Sequence, residues 1–353
     1  MMYQVSHPQQ SSGNKVMTSC LICKSQSIKK LDLIEGYKKN SFFDIFSCGN
    51  CGVHFASPLK IDNHIYDAIY KNVERVPGYS RYYKLSKSIL KEENPIDFIS
   101  KSEDCYYAVI KYLKKEVKNR KDVKIIEIGC GQGYLTYALK SAGFNITGID
   151  ISQEAINIAK KKYGDNYYCG NLESFIKKTK EKPAYIVCTE LIEHLEQPLN
   201  FVKNILDLMG KDGKLIITTP NKIDRNKSIW DTDLPPVHLW WFTRKSMVKM
   251  AEQINCKINF FNFTKFFKKN LTLKDHFLNF SASKLRTPTF NENYELIKFI
   301  PKKNIVFYFK KHINHLNPIN TYKKIYSAYF KYLKKEIRND SESTTLCVIF
   351  QKK

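Results

Sequence analysis

The feature that most limits what this chain can fold into is the run Glu127-Ile-Gly129-Cys-Gly131-Gln-Gly133, which grows out of an apolar stretch, Val123 to Ile128, and leads into a helix-forming segment through about Ala142. Glycines at a strand-to-helix turn let the backbone take angles that other residues resist and bring its amides close to a ligand. The same alternation then repeats. Asn145 to Asp150 reads as a strand, Ser152 as the N-cap of a helix Gln153 to Lys162, and Asn166 to Cys169, Ala184 to Cys188 and Lys214 to Thr219 as further strands, each preceded by a helix-length segment. Short apolar runs separated by amphipathic segments predict a parallel sheet with helices on both faces. Two phosphate-binding patterns do not fit: Tyr134 stands where a dinucleotide fingerprint needs its last glycine, and no Gly-Lys-Ser or Gly-Lys-Thr is present. The acid that ends the second strand, Asp150, can accept both hydroxyls of a ribose.

Together with Gly148-Ile-Asp150-Ile151-Ser152, Gly170-Asn171-Leu172-Glu173 and Glu190-Leu-Ile-Glu193-His194-Leu195, this run resembles the class I S-adenosylmethionine-dependent methyltransferases. The motifs stand in the family's order and cover roughly Glu103 to Met250, with the last strand added. The resemblance implies a Rossmann-like α/β fold with a seven-stranded sheet, and S-adenosylmethionine as cofactor. It also implies that Gly129, Gly131 and Gly133 hold the methionine part, with Glu127 and Glu190 beside them. Asp150 would hold the ribose, with Ile151 next to it, and Asn171 and Leu172 would border the adenine. The family more often has Asp where Asn171 stands, and an amide there can still bond the adenine amino group.

Methyl transfer from a sulfonium is an in-line displacement, so alignment is the enzyme's main task. A hydroxyl acceptor must also lose its proton, which calls for a general base or a metal ion. Glu190, Glu193 and His194 are spaced i, i+3, i+4, so a helical turn after the fourth strand would place them on one face, at the end of the sheet where ligands bind. After the fifth strand come Thr219-Pro220-Asn221 and then Pro235 to Thr243, which contains His238. In the small-RNA 2′-O-methyltransferases and the ubiquinone-biosynthesis O-methyltransferases a matching Glu-x-x-Glu-His and a later His bind a divalent metal. By that resemblance Glu190, Glu193, His194 and His238 form a Mg²⁺-like site for two adjacent acceptor oxygens. Two other readings stay open: His194 as a metal-free base, and a structural cluster in which Glu190 buttresses the cofactor loop, Glu193 complements a helix N-terminus and His238 packs among the tryptophans. Trp240, Trp241 and Phe242 read as a packing seam before they read as a stacking wall.

The chain has ten cysteines, and four form a pattern: Cys20-Leu-Ile-Cys23 and Cys48-Gly-Asn-Cys51-Gly52, the second pair led in by a strand-like run, Ser41 to Ser47. Each knuckle can aim two thiolates at one ion, and two knuckles close a tetrahedron with no open position, so the zinc expected here is structural. The other cysteines, at 105, 130, 169, 188, 256 and 347, read as core. Such a module in front of this domain resembles a recurrent bacterial architecture found with methyltransferases acting on sugars or natural products.

The flanks complete the domain plan: a loose tail at 1–17, a zinc ribbon at 18–58, a helical segment at 59–120 carrying Tyr66, Tyr70, Tyr79, Tyr82 and Tyr83 that is a spacer or, as the resemblance implies, a lid over the cofactor, and the methyltransferase domain at 121–263 and 344–353. A helix Arg244 to Gln253, a sixth strand Lys257 to Phe263 and a seventh Thr344 to Phe350 enclose an insertion, 264–343, with 17 Lys or Arg against 6 acids. Its stretch from Tyr322 to Lys335 patterns as an amphipathic helix, the buried face of a substrate cap or a contact with a lipid surface or phosphorylated substrate. The net charge of +24 is what a lysine-rich coding composition produces and equally what an acidic partner would select. No window is long and apolar enough for a membrane span and no signal-peptide pattern opens the chain, so a cytoplasmic protein is expected. The acceptor expected is a hydroxyl of a sugar-containing or polyhydroxylated small molecule. RNA methylation is the first alternative, and a non-catalytic zinc-dependent nucleic-acid-binding protein is the second. Peripheral membrane contact rests on the basic insertion alone, and no residue pattern bears on oligomeric state.

Overall fold

The computed structural model describes residues 18–76, 78–222, 234–266, 288–297 and 343–353. The chain opens with β1 (Ile28–Glu35), β2 (Phe42–Cys48) and β3 (His54–Ser57), paired antiparallel in that order. Four helices follow: α1 (Asn63–Lys71), α2 (Ser80–Ser88), α3 (Pro95–Ser102) and α4 (Asp104–Glu116). The Asp62 side chain caps α1 by accepting from the His64 amide, and Asn94 caps α3, where Pro95 sits at the first turn and forfeits no helical bond.

The alternating pattern of the sequence then appears as β4 (Ile125–Ile128), α5 (Tyr134–Ser141), β5 (Ile146–Asp150), α6 (Gln153–Tyr163), β6 (Tyr167–Cys169), α7 (Leu172–Thr179), β7 (Tyr185–Thr189), α8 (Pro198–Leu208) and β8 (Lys214–Pro220). Ser152 caps α6 as expected, accepting from the Ala155 amide. After β8 come β9 (Trp240–Trp241), α9 (Arg244–Gln253) with a Thr243–Ser246 capping box, β10 (Cys256–Phe260) and β11 (Thr345–Lys352). The sixth strand thus ends three residues before the expected Phe263. That ring leaves the sheet plane and is buried against the core that holds Val187 and Ile216.

The large sheet has the order β10-β11-β8-β7-β4-β5-β6, parallel except for β11, which runs antiparallel to both its neighbours. It is the doubly wound seven-stranded arrangement the resemblance implies, and strand order reverses at β4, between β5 and β7. Ligands bind at such switch points because the two connections leave in opposite directions and open a crevice. On one face, Ile125, Val187 and Ile216 pack with Ile99, Val109, Leu113 and Leu139 from α3, α4 and α5. On the other, Ile126, Ile186 and Leu215 pack with α7, α8 and α9, and that core runs without a break into Cys20, Ile22, Phe55 and Trp240.

The four-cysteine region therefore shares its core with the large domain. The link is β9, which pairs with β3 through His54–Trp241 and Phe55–Trp240 and makes the small sheet four-stranded. Trp240, Trp241 and Phe242 are buried in the seam. Of the insertion at 264–343, only 264–266, 288–297 and Ser343 are described, and the amphipathic stretch Tyr322 to Lys335 lies outside the described residues, as does the tail at 1–17. Among the described residues no helix is long and apolar enough to cross a membrane.

Phe55 is fully buried, with its ring 5.6 Å from Phe46 and 5.5 Å from Trp240. Phe55→Ala is expected to cost about 3–5 kcal/mol in chemical denaturation, because the cavity left behind cannot collapse. Tryptophan fluorescence and far-UV signal should still shift together, as one cooperative transition of a shared core.

Candidate active site

At the carboxyl ends of β4, β5 and β7 lies a cavity of about 330 Å³. It is lined by Glu127 of β4 with Gly129, Cys130 and Gly131 after that strand, Asp150 at the end of β5 with Ile151, and Glu190 after β7. Tyr66 and Tyr70 on α1 and Tyr79 and Tyr82 at α2 line it as well.

The three glycines do different work. Gly131 has φ +49° and nothing within 4 Å of where a Cβ would stand, so the backbone there is open to a ligand. A Cβ on Gly129 would meet Leu191 at 3.0 Å, and one on Gly133 would meet the Tyr167 ring at 2.6 Å and Ala159 at 2.8 Å. Gly133 starts α5 with φ +80° and lies outside the cavity lining, so its role is packing and turn geometry, not the expected ligand contact.

Asp150 is held by two backbone donors: the Gly131 amide gives to Oδ2 at 2.9 Å and the Ser152 amide to Oδ1 at 2.8 Å. Each oxygen keeps a further lone pair, enough for two ribose hydroxyls. Burial raises this carboxyl above the usual range, and the two amides oppose the shift. Glu127, 2% exposed, accepts from the Thr136 hydroxyl and is pushed up to about 8 by burial. Asn171 spends its side-chain oxygen on the Ser174 amide as the cap of α7, Leu172 is in the core, and neither lines the cavity. Ile151 does line it.

The expected helical turn with Glu190, Glu193 and His194 on one face does not form. Glu190 takes a left-handed backbone, φ +50°, and a three-residue 3-10 turn, Ile192–His194, follows it. Glu190 consequently stands apart from the other three. Burial, with the Asp104 carboxyl adding to it, pushes Glu190 up to about 8, and its Oε1 is buried with no hydrogen-bond partner.

The group that does assemble is Glu193, His194 and His238, whose ligand atoms lie within 4.8 Å of one another. His194 Nδ1 is 2.6 Å from the Val237 carbonyl, which can only accept, so Nδ1 carries the hydrogen and Nε2 the lone pair of the neutral ring. The Thr219 hydroxyl donates to Glu193 Oε2 at 2.9 Å. The two imidazoles meet edge to face with centroids 4.6 Å apart, and burial, aided by the Arg81 charge, pushes His238 down to about 3, leaving it neutral. Partners that fix a tautomer and a carboxylate in this way are what metal ligands have behind them.

Two imidazoles and one carboxylate suit a borderline divalent transition ion better than Mg²⁺, which prefers oxygen.

The four knuckle cysteines also converge. Cys20 and Cys51 sulfurs are 3.8 Å apart, Cys23 and Cys48 sulfurs 3.5 Å, and all four lie within 4.8 Å. A tetrahedron of zinc–sulfur bonds has edges of about 3.8 Å, so the cluster fits that ion. The neighbouring Cys51 sulfur pushes the Cys20 thiol down to about 5, against the opposing effect of burial. Of the remaining cysteines five are buried, as expected of core, and Cys169 is partly exposed.

Sequence reasoning missed Arg81, Tyr37, Tyr106 and Tyr134, all of which line the cavity. Arg81 and Tyr37 come from segments with no motif, and only the tyrosine-rich stretch around Arg81 hinted at it.

A family model described as a methyltransferase domain matches residues 86–259. Among curated proteins, the chain is 32% identical over 118 residues to a ubiquinone biosynthesis O-methyltransferase of Coxiella burnetii, covering 32% of this chain and 50% of that protein. A protein of the same name from Actinobacillus pleuropneumoniae is 30% identical over 120 residues, covering 31% and 51%. The chain thus spans about half the length of the curated relatives it matches. Among solved structures, a SAM-dependent methyltransferase from Archaeoglobus fulgidus aligns with TM-score 0.38 and 17% identity over 70% of this chain and 94% of that one.

Glu127 and Glu190 ionise near 8 in the folded chain and near 4.5 when unfolded, so the folded state binds the extra protons between those values. Stability should therefore fall as pH rises through that window, by at most about 1.4 kcal/mol per pH unit for each group. Urea denaturation at a series of pH values should show Glu127→Gln, which can still accept from Thr136, losing about half of that slope.

Proposed function

We propose that this chain, whose residues 86–259 carry a class I S-adenosylmethionine-dependent methyltransferase domain, methylates a hydroxyl of a sugar-containing or polyhydroxylated small molecule. The observation that carries the reading is that one cavity joins the Gly131–Asp150 cradle to the Glu193–His194–His238 group. When bound, S-adenosylmethionine supplies an electrophilic methyl group on a sulfonium. Asp150, fixed by two amides, orients the nucleoside without reorganising, and the open backbone at Gly131 admits close approach. The lid tyrosines Tyr66, Tyr70, Tyr79 and Tyr82 exclude water from the reacting atoms.

At the acceptor end, Glu193, His194 and His238 are the residues that would hold a divalent ion, and such an ion would lower the pKa of a coordinated hydroxyl. A second reading needs no metal: the His194 tautomer set by Val237 makes Nε2 a base that can take the acceptor proton directly. The four-cysteine cluster is read as a structural zinc site, since four sulfurs leave no place for a substrate.

Calorimetry should detect S-adenosylhomocysteine binding that weakens at least about tenfold in Asp150→Ala, where a charged hydrogen-bond acceptor is lost. Once an acceptor is in hand, His194→Ala should lower kcat by about 10²–10⁴ with cofactor affinity unchanged. EDTA treatment separates the two readings: loss of turnover restored by a divalent salt supports the metal, and full turnover in EDTA leaves His194 as the base. Metal analysis of the purified protein should find one zinc per chain, lost in Cys23→Ser.

A further inference from the structure

We infer that the acceptor end of the cavity takes an uncharged, ring-bearing hydroxyl compound and rejects anionic ones, whether carboxylated or phosphorylated. The inference rests on the methyltransferase reading and narrows its acceptor. Its first support is a contrast of charge. The chain carries 58 Lys and Arg against 34 acids, yet the described lining of the cavity holds four carboxyl groups, Glu127, Asp150, Glu190 and Glu193, and one cation, Arg81. No lysine lines it among the described residues.

Arg81 has one edge of its fork committed. Its Nη2 donates to the Tyr82 hydroxyl at 2.6 Å and its Nε lies 3.4 Å from Glu103 Oε1. Carboxylate and phosphate recognition depends on parallel N–H donors directed at the ligand, and this pair is already engaged. Among the described residues, Arg81 is the one lysine or arginine that an anionic acceptor would meet in this crevice, beside Asp150 and Glu193. RNA is the limiting case, since much of its affinity comes from basic side chains on phosphates.

The second support is the wall itself. Tyr37 from the turn after β1, Tyr66 from α1 and Tyr79 at the start of α2 pack together with Val237. Tyr66 stands edge-on to His194, ring centroids 6.2 Å apart, and its hydroxyl donates to the Val237 carbonyl at 3.3 Å, the same carbonyl that fixes the His194 tautomer. All three tyrosines line the cavity. Tyrosine faces give apolar area to a sugar or aromatic ring while their hydroxyls bond its polar groups. That surface suits a neutral polyhydroxylated ring.

The test uses the full chain, labelled S-adenosylmethionine and a small-molecule extract of the source cells divided by anion and cation exchange into acidic, basic and neutral fractions. Label is expected in the neutral fraction, and Tyr79→Ala should cut it by about tenfold while S-adenosylhomocysteine affinity, measured by calorimetry, stays within about threefold. Label entering the acidic or basic fraction or added RNA as readily as the neutral one overturns the inference, as does undiminished labelling by Tyr79→Ala. Cofactor binding without any labelling of the neutral fraction also overturns it. Failure to bind S-adenosylhomocysteine removes the methyltransferase reading beneath it.

Discussion

The peptide of Leu239 holds the two halves of the molecule in register. Its amide donates to the Glu193 carbonyl at 2.9 Å, and its carbonyl accepts from the Ala56 amide at 2.9 Å. One neighbour, His238, belongs to the cavity, and the other, Trp240, pairs with β3 and donates its indole N–H to the Leu195 carbonyl at 2.7 Å. Each such bond contributes only about 1 kcal/mol net, but breaking one leaves a buried donor or acceptor unsatisfied at a cost of about 1–3 kcal/mol. The strap therefore cannot shift without disturbing both the cysteine cluster's sheet and the histidine pair.

This coupling gives the four cysteines a bearing on chemistry they do not touch. The Thr243 hydroxyl donates to the Cys51 carbonyl at 2.9 Å, tying the second knuckle to the cap of α9. An ion that fixed the knuckles would fix β3, and β3 fixes the stretch that carries His238. A cluster with no open position can still decide where a side chain of the cavity stands.

Much of this was legible in the chain, and what was legible is local. The apolar runs of β4, β5, β7 and β8, the glycine turn, the Ser152 cap and the Asp150 terminus are each determined within a few residues, and each stands where the pattern put it. What escaped depends on distant partners. The two residues of β9 carry no strand signal of their own and become a strand only because Phe55 lies opposite. Glu190 matches a helical spacing, yet its amide bonds the Thr218 carbonyl of the neighbouring strand and its backbone turns left-handed, which separates it from Glu193 and His194. Gly133 fits a cofactor motif, and only the Tyr167 ring packed against it reveals a steric role. Spacing sets which residues come near one another, and the backbone angle at one residue sets which of them meet.

The walls of the cavity come from separate stretches of chain: the nucleoside cradle from the turns after β4 and β5, and the tyrosine wall from the segment that precedes the large sheet. Mutational drift in that leading segment can reshape which molecule is accepted while the donor's seat is left alone, so paralogues could diversify by exchanging their first eighty or so residues.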